Sequence, residues 1–112
     1  MTITLHNKLV RDEIPQIIRD YDCPITRIAF GEEFFEKLKA KLGEETTKYL
    51  DSDNPEKLAD ILEVIYALAE HHNISIDKLK KMRLSEQASR SFKRRIILEH
   101  TINAVQDTLE NQ

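Results

Sequence analysis

The stretch from Glu56 to Glu70 constrains this chain most: it is apolar almost all the way round a helix, yet it carries Asp60 and Glu63 in its middle. Leu58, Ala59, Ile61, Leu62, Val64, Ile65, Tyr66, Ala67, Leu68 and Ala69 leave no broad polar face, so the helix is expected to be buried against neighbours on several sides. An isolated ionised carboxylate is prohibitively costly in such surroundings, so both acids must be paired or must bind a cation. Three residues apart, they lie on one side of the helix. Whatever neutralises them is the lead to function.

Composition supports a helical reading. The 112 residues suit one domain, 1–112, and two glycines, three prolines and 33% charged residues favour long helices over sheet. A net charge of −3 from interspersed acids and bases argues against DNA or RNA as the partner. The local run Lys93, Arg94, Arg95 reads as a solvated helix face, with phosphate contact as the minority reading. Cys23 is alone, so no intrachain disulfide forms. Neither an export signal nor a membrane span is legible, and a cytoplasmic location is expected.

Residues 7 to 20 read as a first short helix, with Leu9, Val10, Ile14, Ile17 and Ile18 on one side and Pro15 best placed near a first turn. Thr26 to Phe30 has an extended pattern that suggests pairing with Thr2 to His6. From Glu32 to Leu50 the spacing of Phe34, Phe35, Leu38, Leu42, Tyr49 and Leu50 predicts a second helix. Asp51 to Pro55 stops it, and Asn54 as cap with Pro55 at the first helical position starts the central helix. So short a connection predicts an antiparallel hairpin. The central helix is expected to end near His72 and Asn73, with Ser75 capping another helix to about Leu84. From Phe92, the positions Ile96, Ile97, Ile102, Val105 and Leu109 predict a last amphipathic helix.

Residues equally far from the hairpin turn face each other, which sets Glu45 at the level of Asp60 and Lys48 at the level of Lys57. Each helix contributes two residues three apart, the arrangement by which facing helices build a carboxylate metal site. Glu32-Glu33 with Glu36 is a second acidic group, read as a solvated first turn. His71 and His72, adjacent on a helix, point in different directions and do not chelate one ion together.

The chain resembles the MazG-like and phosphoribosyl-ATP pyrophosphohydrolase-like members of the all-α nucleoside triphosphate pyrophosphohydrolase superfamily. The resemblance lies in Asn7-Lys8-Leu9-Val10-Arg11-Asp12 with Ile14-Pro15, Leu42 with Glu44-Glu45, Leu58 to Leu68, and Phe92 with Arg95-Ile96 and Leu98-Glu99. It implies an all-α bundle built on the antiparallel hairpin and completed by oligomerisation, as a homodimer or homotetramer. It also implies release of pyrophosphate from a nucleotide polyphosphate, with magnesium as cofactor. Carried over, Glu45 and Asp60 are metal ligands, and Glu44 matches the motif E-E-x-x-E followed by E-x-x-D. Glu44 or Glu63 would assist as a further carboxylate, Lys8 and Arg11 either reach phosphate in the family's manner or make surface ion pairs, and Lys93 and Arg95 of the basic run are the other candidate phosphate contacts.

The sequence departs from this pattern at Lys48 and Lys57, which stand where the family has glutamates, and at Arg90-Ser91 in place of a glycine pair. An ammonium has no lone pair to give a metal. Within about 4 Å of a divalent ion, at an effective dielectric near ~20, each such charge opposes binding by several kcal/mol. Weak or lost hydrolysis is therefore expected. The alternative is a non-catalytic nucleotide-binding or protein-interaction module on the same scaffold.

Overall fold

A computed structural model of the chain describes residues 2–85 and 91–103. By compactness the chain divides into Met1–Lys80 and Lys81–Gln112. All regular structure among the described residues is helical: α1 (Ile14–Ile18), α2 (Gly31–Ser52), α3 (Glu56–His71) and α4 (Ile76–Ser85). None of these helices is long and apolar enough to cross a membrane.

α1 is much shorter than the span of 7 to 20 read from its apolar spacing. Pro15 explains the late start, because its ring opposes the carbonyl of Arg11 and it has no N–H to give, so a helix cannot run through it from upstream. Residues 7–11 instead form an irregular strap, with Asn7 in the left-handed region at φ 50°. The suggested pairing of Thr26 to Phe30 with Thr2 to His6 is not formed; the described residues contain no strand. Phe30 is extended (φ −129°, ψ 152°), and Gly31, at φ 54°, makes the turn into α2 that a Cβ would strain. Arg27 straddles this turn and holds Glu33 with both guanidinium nitrogens, one at 2.8 Å.

α2 ends on Asp53 in the left-handed conformation, its N–H bonded to the Tyr49 carbonyl at 2.8 Å. Asn54 Oδ1 then accepts the Glu56 N–H at 3.0 Å, which serves one of the free donors at the start of α3. Pro55 already has helical angles just before that start. α2 and α3 pack against each other, and they run antiparallel: near the ends far from the turn, the Phe35 ring stacks on His71 at 4.3 Å. α3 closes in a Schellman motif, with Ile74 N–H on the Ala69 carbonyl (2.8 Å) and Asn73 N–H on that of Glu70 (2.9 Å). Asn73 takes the left-handed position, at φ 59°. Ser75 caps α4 as the sequence predicts, accepting the Lys78 N–H at 3.1 Å.

The core is small. Leu38 (2% exposed), Val64 and Ala69 are its buried apolar side chains, and Glu45 is buried with them. Among the described residues α3 is not buried on several sides: Leu58, Leu62 and Ile65 are 48%, 44% and 36% exposed. These three recur at i, i+4 and i+7, so one whole face of the helix is left open.

In the second unit, the helix expected from Phe92 is absent over the described residues 91–103. Arg95 stands at φ 56° with its N–H on the Phe92 carbonyl at 3.1 Å, a turn that interrupts helical propagation. Ile96, Ile97 and Ile102 are all exposed, so the apolar face that would have to stabilise such a helix buries nothing here. Val105 and Leu109 lie outside the described residues.

Candidate functional site

The site begins on one face of α2, where Lys41, Glu44, Glu45 and Lys48 follow the spacing i, i+3, i+4, i+7. α3 adds Lys57 and Asp60, and the strap adds Lys8 and Arg11. The ion pairs among these four run along each helix, between i,i+3 neighbours: Lys48 lies 3.4 Å from Glu45, and Lys57 lies 3.8 Å from Asp60. The tie between the two helices is the strap. Lys8 Nζ donates to Glu44 Oε1 at 2.8 Å and Arg11 to Asp60 Oδ1 at 3.1 Å. Lys37 Nζ adds a third anchor, donating to the Asn7 carbonyl at 2.8 Å.

Lys41 is the residue that sequence reasoning missed. It lies 3.0 Å from Glu44 Oε2 and 3.4 Å from Glu45 Oε1, with its side chain only 13% exposed. The signal was available, since a lysine three and four residues before two glutamates faces both of them on a helix.

Glu44 receives Lys8 on one oxygen and Lys41 on the other, with Lys48 at 3.5 Å from the first. The Lys8 hydrogen bond, aided by that of Lys41 and opposed by partial burial, lowers its pKa to about 2. Burial acts to lower the pKa of Lys48, but the charges of Glu45 and Glu44 and its bonds to them outweigh this and hold it above the ordinary lysine value. Five cations (Lys8, Arg11, Lys41, Lys48, Lys57) thus meet three carboxylates (Glu44, Glu45, Asp60), leaving +2 on a protein whose net charge is −3.

No protein-family model matches the chain, nor does any curated protein or solved structure. The residues themselves must therefore carry the argument.

Magnesium needs free carboxylate oxygens, and this donor set does not fit it. Both oxygens of Glu44 and both of Asp60 face a lysine or arginine, as does Oε1 of Glu45. Among the described residues, no three acidic, histidine or cysteine side chains are grouped so as to hold an ion. Glu63 is exposed and takes no part in the cluster. Lys93 and Arg95 belong to the second unit and are exposed; the contacts there are backbone ones, Lys93 N–H to Ser91 Oγ (3.2 Å) and Arg95 N–H to Phe92 O.

The remaining groups have packing or solvent roles. His71 lies parallel to the Phe35 ring and His72 edge-on to it at 5.6 Å, with Lys39 Nζ 4.4 Å from the ring centroid. Of the second acidic group, Glu33 pairs with Arg27 and Glu36 with Lys39, in the solvated manner expected.

Proposed function

We propose that this chain is a nucleoside triphosphate pyrophosphohydrolase-like helical protein that binds a nucleotide polyphosphate and releases pyrophosphate from it weakly or not at all. The observation that carries this reading is the convergence of five cations on three carboxylates at the strap and hairpin. Such a cluster attracts a polyphosphate by charge, while each carboxylate is engaged by an internal cation.

Hydrolysis requires a base to take a proton from the attacking water, and a base works best with a pKa near the operating pH. Glu44, at about 2, is a poor one. Of the rest of the catalytic set, Glu45 and Asp60 already hold internal cations, and Glu63 is exposed and outside the cluster. Magnesium, the cofactor of the resembled family, would have to displace these cations to bind. The non-catalytic nucleotide-binding alternative is favoured by the same pairing.

The open face of Leu58, Leu62 and Ile65 supports a homodimer or homotetramer in which a bundle is completed between chains. A cytoplasmic site of action accords with a nucleotide ligand. Calorimetry with ATP and magnesium, each with the other present and absent, tests the reading alongside a pyrophosphate-release assay. Metal-independent nucleotide binding with little turnover is expected. Efficient release from a common nucleoside triphosphate would overturn it.

A further inference from the structure

Beside the strap, one shallow depression is lined by Lys8, Lys37 and Lys41 with Asn7 and Glu44, and closed on its apolar side by Leu9 and Ala40. We infer that this depression is a phosphate-group site that recognises the end of a polyphosphate chain, independently of any base; the inference rests on the nucleotide reading above and names what that site would read.

The charge at the depression is the first reason. Three ammonium groups face one carboxylate, an excess of +2, while the neighbouring Glu45 and Lys48 offset each other. Glu44 stays ionised at any ordinary pH, since Lys8 and Lys41 hold its pKa at about 2, so the excess is a fixed feature. A protein of net charge −3 attracts anions only where such a local excess exists.

Donor supply is the second reason. Each ammonium has three N–H groups; Lys41 is engaged by Glu44 and Glu45, whereas Lys37 uses one donor on the Asn7 carbonyl and Lys8 one on Glu44 Oε1, so the free donors come chiefly from Lys37 and Lys8. The donors that remain suit a tetrahedral oxyanion with several charged oxygens better than a single carboxylate. No aromatic ring lines the depression, so it offers no platform on which a base could stack.

Position is the third. Lys37, Lys41 and Glu44 recur at i, i+4 and i+7 on α2, a rigid element, and Lys37 also anchors the strap that carries Lys8. The same lysine thus serves both the fold of the strap and the proposed ligand. Lys37→Gln removes the charge and leaves an amide donor one atom shorter, so the melting curve reports whether the strap anchor at the Asn7 carbonyl survives, while Lys37→Arg keeps both the charge and the reach and should retain pyrophosphate binding.

Calorimetry on the full chain, without divalent metal, uses inorganic pyrophosphate, ATP and adenosine as probes. Pyrophosphate and ATP should bind and adenosine should not. Lys37→Gln should weaken pyrophosphate by roughly tenfold, the loss expected for one charge-assisted hydrogen bond, with an unchanged melting curve. Lys78→Gln, a matched loss of charge elsewhere on the surface, should leave the affinity at the parent value. Equal weakening in both variants would show a diffuse attraction and overturn the site, as would pyrophosphate binding untouched by Lys37→Gln. ATP binding without pyrophosphate binding would remove this inference and leave the nucleotide reading standing. Pyrophosphate binding through Lys37 with no ATP binding would support the site and remove the nucleotide reading instead.

Discussion

Arg11 reaches across 3.1 Å to Asp60, which ties a strap at the start of the chain to the middle of α3, forty-nine residues later. Three residues before Arg11, Lys8 does the same for Glu44 of α2. The strap thus supplies one counterion to each helix of the pair, and Lys41 and Lys48 on α2 and Lys57 on α3 supply the others.

The lysines around Glu45 should differ sharply in their contribution to stability. Lys41 and Glu45 are 13% and 8% exposed at the side chain, whereas Lys48 is 44% exposed. Lys41→Met should cost on the order of 3 kcal/mol, as expected when a buried partner is removed. Lys48→Met should cost less than about 1 kcal/mol, since solvent screens the pair. Urea unfolding checks both, and equal costs would contradict the placement of Lys41.

Acid should expose the Glu44 pairing. Its pKa falls from the ordinary 4.5 to about 2 in the folded protein, so its stabilising contribution is complete above 4.5 and is lost as the pH falls from there through about 2. Carboxyl NMR titration should find this midpoint near 2. In Lys8→Gln the midpoint should rise toward 4.5, because the largest cause of the shift is gone.

Self-association is expected from the open face of α3. Light scattering on a size-exclusion column should show a dimer or larger at low micromolar concentration. Leu62→Glu, at the centre of the Leu58, Leu62, Ile65 face, should shift it to monomer, by placing a charge where apolar surface is covered. A monomeric parent protein would remove the claim.

Placing acids at Lys48 and Lys57 tests the placement of the hairpin. Lys48→Glu with Lys57→Glu should destabilise the protein through like-charge repulsion among Glu45, Asp60 and the two new carboxylates. Its melting temperature should then rise with added magnesium or manganese. A double variant that melts like the parent and ignores both metals would show that these side chains do not converge.

Much of this architecture was legible along the chain because it depends on near neighbours. Residues at i, i+3 and i+4 share a helix face, so α2, α3, the cap at Ser75 and the i,i+3 pairs Glu45 with Lys48 and Lys57 with Asp60 follow from spacing. Two readings failed for different reasons. The segment after Phe92 keeps helical spacing, but its isoleucines are exposed, and residues 7–11 send Lys8 and Arg11 to α2 and α3 ahead of Pro15 instead of forming a turn of helix.

By itself, then, the sequence determined the helical pair, its turn, and the placing of Lys48 and Lys57 three residues from Glu45 and Asp60. Only the tertiary structure decided which carboxylates the strap cations meet. Lys8 with Glu44 and Arg11 with Asp60 are separated by thirty-six and forty-nine residues, and no local periodicity encodes such distances. Those pairs form because the strap, its backbone anchored by Lys37, lies where charged side chains on two packed helices need partners.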